Sequence, residues 1–137
     1  MNAAAAIDEL CVRDVMSPRF ISAAPEDTLG ELAERLALAD AGSALVLEFG
    51  RLSGILTSRD IVRAVANRVH PSKARVRDWM SDSLVTAEPD LSAGVAARLM
   101  VTGGFHHLPV IENGRPLGVV GLRAVAGALD DCPGWRQ

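Results

Sequence analysis

With 137 residues, 49% of them apolar and 23% charged, the chain is long enough for a compact domain with its own core, and a net charge of −3 argues against the basic stripe of a general nucleic-acid binder. Aromatic residues make up only 4%, so the core falls to Leu, Val, Ile, Ala and Met. No apolar run approaches the roughly 20 residues of a membrane span. The opening MNAAAAIDEL meets Asp8 and Glu9 before any basic residue, unlike a secretory leader, and the two cysteines, Cys11 and Cys132, read as free thiols of a reducing compartment, so a cytoplasmic location is expected.

An N-terminal arm, residues 1–11, precedes the first regular stretch. VRDVM (12–16) reads as a helical turn, and FIS (20–22) as a short extended piece ahead of Pro25. A helix follows. Thr28 is placed to cap it, and Leu29, Leu32, Ala33 and Leu36 form an apolar stripe at helical spacing. ALVLE and RLSGIL read as two strands joined at Phe49-Gly50, a weak hairpin signal, and SRDIVRAVANRV (58–69) as a closing helix.

The pattern then starts again. Shifted by 64 positions, the sequence falls on itself without a gap: VRDVMS on VRDWMS, Pro25 on Pro89, Gly30 on Gly94, Gly50-Arg51 on Gly114-Arg115, Gly54 on Gly118. LVT (84–86) should be extended, Ser92 should cap a helix striped by Val95, Ala96, Leu99 and Met100, Asn113-Gly114 is a strong hairpin signal, and LRAVAGAL (122–129) closes the second unit. The expected fold is α+β: two β-α-β-β-α repeats, residues 12–68 and 76–130, in a pseudo-twofold pair. A basic, solvated linker (69–75) joins them, and a tail covers 131–137.

GILTSRD (54–60) and its counterpart GVVGLRA (118–124) differ where chemistry is possible: Thr57 and Asp60 become Gly121 and Ala124. The spacing Thr57-x-x-Asp60 ahead of an apolar run has two readings. One is a capping box, with Gly121 as a poorer cap in the second unit. The other is a nucleoside grip, in which a carboxylate accepts two hydrogen bonds from a vicinal diol and the hydroxyl reaches ribose or phosphate. His106-His107 opens a strand. Adjacent residues there point to opposite faces, so a shared metal ion is not expected. Cys11 lies in the N-terminal arm and Ser58 has no base at readable spacing, so no enzyme activity is expected.

In order and repeated, these motifs resemble the CBS domain (cystathionine-β-synthase type), and the pair resembles a Bateman module without a catalytic domain. The resemblance spans roughly residues 10 to 130. It implies a cleft between the units that holds an adenosine ligand, with Gly54, Ile55, Thr57 and Asp60 matching the family stretch that grips ribose and phosphate. It implies adenine against Leu84 and Val85 with Ile55 opposite, and phosphate cations at His106, His107 and Arg123. The mirror site, with Gly121, Ala124, Gly42 and Ser43, has neither a ribose acceptor nor local cations. The expected function is a regulatory module that senses an adenine nucleotide (AMP, ADP or ATP, ahead of S-adenosylmethionine or NADH) and signals to a partner. It is expected as a homodimer formed through helices such as LAERLALA. The competing expectation is an interaction module with an empty cleft.

Overall fold

The computed structural model describes residues 8–130. The N-terminal arm up to residue 7, the tail 131–137 and Cys132 lie outside them. The elements in chain order are α1 (Val12–Val15), β1 (Ile21–Ala23), α2 (Leu29–Ala39), β2 (Ser43–Glu48), β3 (Arg51–Thr57), α3 (Ser58–Ala66), α4 (Val76–Trp79), α5 (Ala93–Gly103), β4 (His107–Glu112), β5 (Arg115–Gly121) and α6 (Leu122–Asp130). The mixed helix-strand class and the repeated unit are as expected.

Two compact units form, and they cut across the sequence repeats. One runs from Phe20 to Leu84; the other joins the chain up to Arg19 to the chain from Val85 on. The opening helical turn of each repeat therefore belongs to the unit built by the other repeat. In the Phe20–Leu84 unit, the amides of Val76 and Arg77 donate to the carbonyls of Asp27 and Pro25, both at 2.9 Å. Ser81 and Ile55 exchange two backbone hydrogen bonds at 2.9 and 3.0 Å. In the other unit, Val12 and Arg13 donate to Leu91 and Pro89 at 2.8 and 3.2 Å, and Ser17 and Val119 exchange hydrogen bonds at 2.8 and 3.0 Å. Every one of these pairs maps on its counterpart by the 64-residue shift. Gly54 and Gly118 make the docking possible: a Cβ on Gly54 would stand 2.6 Å from the Met80 sulfur, and one on Gly118 would collide with the Ser17 carbonyl.

Each unit has its own core. Ala23, Leu29, Leu32, Leu36, Ala44, Val46, Leu56, Ala64 and Val76 fill one; Val12, Ala87, Ala96, Met100, Leu108, Val110, Val120 and Val125 fill the other. The pair Leu32 and Ala44 is matched by Ala96 and Leu108, a large-small exchange that conserves volume. In the first unit β1, β2 and β3 form a sheet, β1 parallel and β3 antiparallel to β2. In the second, β4 and β5 pair alone. The expected strand over LVT does not form. Only Ala87 bridges Val110, at the register where Ala23 pairs with Val46. Val85 and Thr86 stay exposed, so they gain none of the burial that holds Ile21 and Ser22 in place.

The caps behave locally. Thr28 Oγ accepts from the Glu31 amide at 3.1 Å and Ser92 Oγ from the Val95 amide at 3.4 Å. Leu29, Leu32 and Leu36 are buried; in α5 the expected stripe is thinner, with Leu99 exposed. Both hairpins turn through two positive-φ residues, Phe49 and Gly50 at 55° and 76°, Asn113 and Gly114 at 52° and 79°. This is the type I′ pattern, so the weaker signal makes the same turn. α3 ends at Ala66, three residues short of the expected end. The basic stretch after it is not a free linker. Lys73 and Arg75 are exposed, but Arg75 donates to the Glu26 carbonyl at 3.0 Å, and Pro71 and Ala74 accept from the Gly30 and Leu29 amides at 3.0 and 2.9 Å, satisfying the first donors of α2.

Candidate functional site

The residues expected to bind a ligand fall on both units: Ile55, Thr57, Asp60 and Leu84 on one, Val85, His106, His107 and Arg123 on the other. On the first, β3 runs directly into α3, and the helix begins at Ser58 because Thr57 is still extended at φ −115° and ψ 167°. The Ser58 amide donates to the Gly42 carbonyl at 3.0 Å, which ties the helix start to the loop entering β2. Ile55 is buried on β3.

Asp60 lies one turn into α3 and its side chain is 12% exposed. Its Oδ2 accepts from the Thr57 amide at 2.9 Å and from the Thr57 hydroxyl at 3.2 Å. Its Oδ1 accepts from Nη1 of Arg63 at 3.3 Å. The guanidinium carbon of Arg63 stands 5.9 Å from the centroid of the Trp79 ring, within cation–π range. The capping-box geometry is thus formed. Arg63 and Trp79 were not singled out from the sequence. The spacing of three between Asp60 and Arg63 was a readable signal; Trp79 gave none, because it arrives with the exchanged helix α4.

On the second unit, α6 begins at Leu122, whose amide donates to the His106 carbonyl at 2.9 Å, the counterpart of Ser58 and Gly42. Arg123 follows on the first turn and is exposed. His106 is exposed, whereas His107 opens β4 half-buried. Burial pushes the His107 imidazole below its ordinary pKa, and the neighbouring His106 adds to the shift. Leu84 is half-buried and Val85 exposed, both on irregular chain. Gly121 and Ala124 stand where Thr57 and Asp60 stand on the first unit, so no carboxylate occupies the matching place. Cys11 carries a free, half-buried thiol. Among the described residues no group of three or more His, Cys, Asp or Glu could hold a metal ion, and no helix is long and apolar enough to cross a membrane.

A carboxylate with backbone and hydroxyl donors on one oxygen and an exposed cation on the other can accept hydrogen bonds from a neutral polyol. Comparison with known proteins gives the frame. The CBS domain model matches residues 12–67 and 76–131. The uncharacterized 17.7 kDa protein in the bps2 3' region of Acidianus ambivalens is 33% identical over 122 residues, 88% of this chain and 73% of its own length. The CBS domain-containing protein YhcV of Bacillus subtilis is 30% identical over 115 residues, 84% of this chain and 82% of its own. Among solved structures, the CBS domain pair of protein MJ0100, crystallised with 5-methylthioadenosine and S-adenosyl-L-methionine, superposes with a TM-score of 0.80 at 25% identity, covering 87% of this chain and 98% of that one. The chain belongs to the CBS domain family and carries two CBS domains in tandem.

Proposed function

We propose that the protein is a regulatory module, not an enzyme, that binds an adenine nucleotide of the AMP, ADP or ATP type and signals to a partner protein by changing conformation. One observation carries the reading. α3 and α6 are both nine residues long, yet only α3 has a Thr and an Asp at its start. The carboxylate is therefore dispensable for building the helix, and its retention in one repeat asks for another use. Asp60 and Thr57 would take the ribose diol, Ile55, Leu84 and Val85 the adenine, and His106, His107 and Arg123 the phosphates. That the MJ0100 pair was crystallised with two adenosine compounds supports the same ligand class here. His107, held toward the neutral form, would have to take up a proton to serve a phosphate. Thermal-shift measurements with AMP, ADP, ATP, S-adenosylmethionine and NADH test the proposal, since a ligand bound only by the native state raises the melting temperature. A flat response to all five would overturn it.

A second reading, an interaction module without a nucleotide, draws on a different observation. An apolar groove of about 330 Å³ opens between α2 and α3, lined by Ala33, Leu36, Ala37, Ile61 and Val62. Leu38, Val62 and Val65 are 89, 66 and 65% exposed on these two helices. Such a face suits a second copy of the chain, and we propose a homodimer formed through it. Dimerisation is compatible with either reading; the nucleotide titration separates them.

A further inference from the structure

Asp60, Arg63 and Trp79 form one connected group within the Phe20–Leu84 unit. The 64-residue shift maps them on Ala124, Gly127 and Val15. The carboxylate, its cation and the ring that faces the cation are all missing from the other unit. Helix α6 still forms at the same length there, and Val15 still ends α1 as Trp79 ends α4. The three side chains are thus not required by the fold, and they are present or absent as a set.

The geometry shows what the set does to the carboxylate. Oδ2 already accepts twice from Thr57, which uses both of its acceptor directions. The oxygen with capacity left is Oδ1, and Arg63 donates to it at 3.3 Å. A vicinal diol that approaches Asp60 must therefore donate its hydrogen bonds to the oxygen Arg63 holds. The Arg63 side chain is 59% exposed, so it can move, and the Trp79 face offers its charge a resting place that does not involve Asp60.

From this, and resting on the nucleotide reading above, we infer that Arg63 is a competing counter-ion that sets the affinity of Asp60 for a ribose diol. Arg63 tunes this affinity as a positioning residue, without itself holding the ligand. Removing its charge frees Oδ1 and tightens binding of any ligand that uses the diol. An exposed ion pair is weak, so the gain is about two- to fivefold.

The test is calorimetric titration of wild type, Arg63→Gln and Arg63→Lys with adenosine, which has the diol and no charge, and with 2′-deoxyadenosine, which lacks the diol. Urea unfolding confirms that each variant is folded. The expected result is tighter adenosine binding by Arg63→Gln, near wild-type binding by Arg63→Lys, and equal 2′-deoxyadenosine binding by all three. Equal adenosine affinities, or a weaker one in Arg63→Gln, would overturn the counter-ion role and leave the nucleotide reading standing. Binding of adenosine by none of the three would overturn the counter-ion role, and a failure of AMP to bind wild type as well would overturn the nucleotide reading with it.

Discussion

The amide and the hydroxyl of Thr57 converge on a single oxygen of Asp60, at 2.9 and 3.2 Å, and leave the other oxygen to Arg63. The same carboxylate completes the capping box of α3 and, in the function proposed above, would accept a ribose diol. The two roles make different demands on Asp60→Ala. As a cap, Asp60 contributes about 1 kcal/mol, so the variant unfolds at lower urea concentration. As a ribose acceptor it receives two charge-assisted hydrogen bonds of about 1.5–3 kcal/mol each, so AMP affinity falls by about a hundredfold or more. Urea titration and calorimetry on one preparation measure both. A stability loss with unchanged AMP affinity would leave Asp60 a cap only.

His107 makes stability depend on pH. Burial, with His106 as the smaller contribution, lowers its pKa in the folded chain below the 6.5 of the free side chain. The unfolded chain then binds more protons than the folded one in the window between the lowered value and about 6.5. Stability is complete above about 6.5 and is lost as pH falls through that window. His107→Gln should flatten this acid limb in a urea series from about pH 7.5 to about pH 5. An unchanged slope would place the titration on another group.

The same shift bears on nucleotide binding. In the proposed site a phosphate beside His107 would favour the imidazolium, so AMP binding should take up a proton and its affinity should rise as pH falls. Because burial opposes protonation, the rise should begin at lower pH than for an unperturbed histidine. Adenosine, without the charge, should give a flat profile. The phosphate's own second pKa, near 6, sets the acid limit of the comparison. If AMP affinity is flat as well, Arg123 becomes the leading phosphate cation.

Gly54 and Gly118 differ in what blocks a side chain. At Gly54 the obstacle nearest a new Cβ is the sulfur of Met80, the far end of a flexible side chain. At Gly118 it is the Ser17 carbonyl, which is backbone and accepts from the Val119 amide, while the Ser17 amide donates back to the Val119 carbonyl. Both alanine variants should lose stability through overpacking, by about 1–3 kcal/mol, and Gly118→Ala should lose more. Melting temperatures of the two variants give the order, and a reversed order would contradict the docking of the Ser17 segment.

Helix α3 supplies a test of assembly. Val62→Lys places a charge on the apolar face between α2 and α3 without touching either core. If that face joins two copies, light scattering at high micromolar concentration should show a dimer for wild type and a monomer for the variant. A wild-type monomer would count against the homodimer, and a dimer of both would move the interface elsewhere.

The ungapped 64-residue repeat, the helical stripes, the caps Thr28 and Ser92 and the two hairpins were legible because each rests on residues a few positions apart. Propensity, cap chemistry and the positive φ of a type I′ turn act at that range. For the same reason Thr57-x-x-Asp60 was visible, and with it both of its meanings. What tertiary structure alone decided has long-range causes. The segments VRDVM and VRDWM each pack on the opposite repeat, since the space for them is opened by Gly54 and Gly118, some 25 to 100 residues away in sequence. LVT stays unpaired because burial, not β propensity, selects a strand. Arg63 meets Trp79 only after that exchange brings α4 against α3. A pattern of spacings carries no information about which copy of a repeated segment fills which slot, and that choice determines what surrounds Asp60.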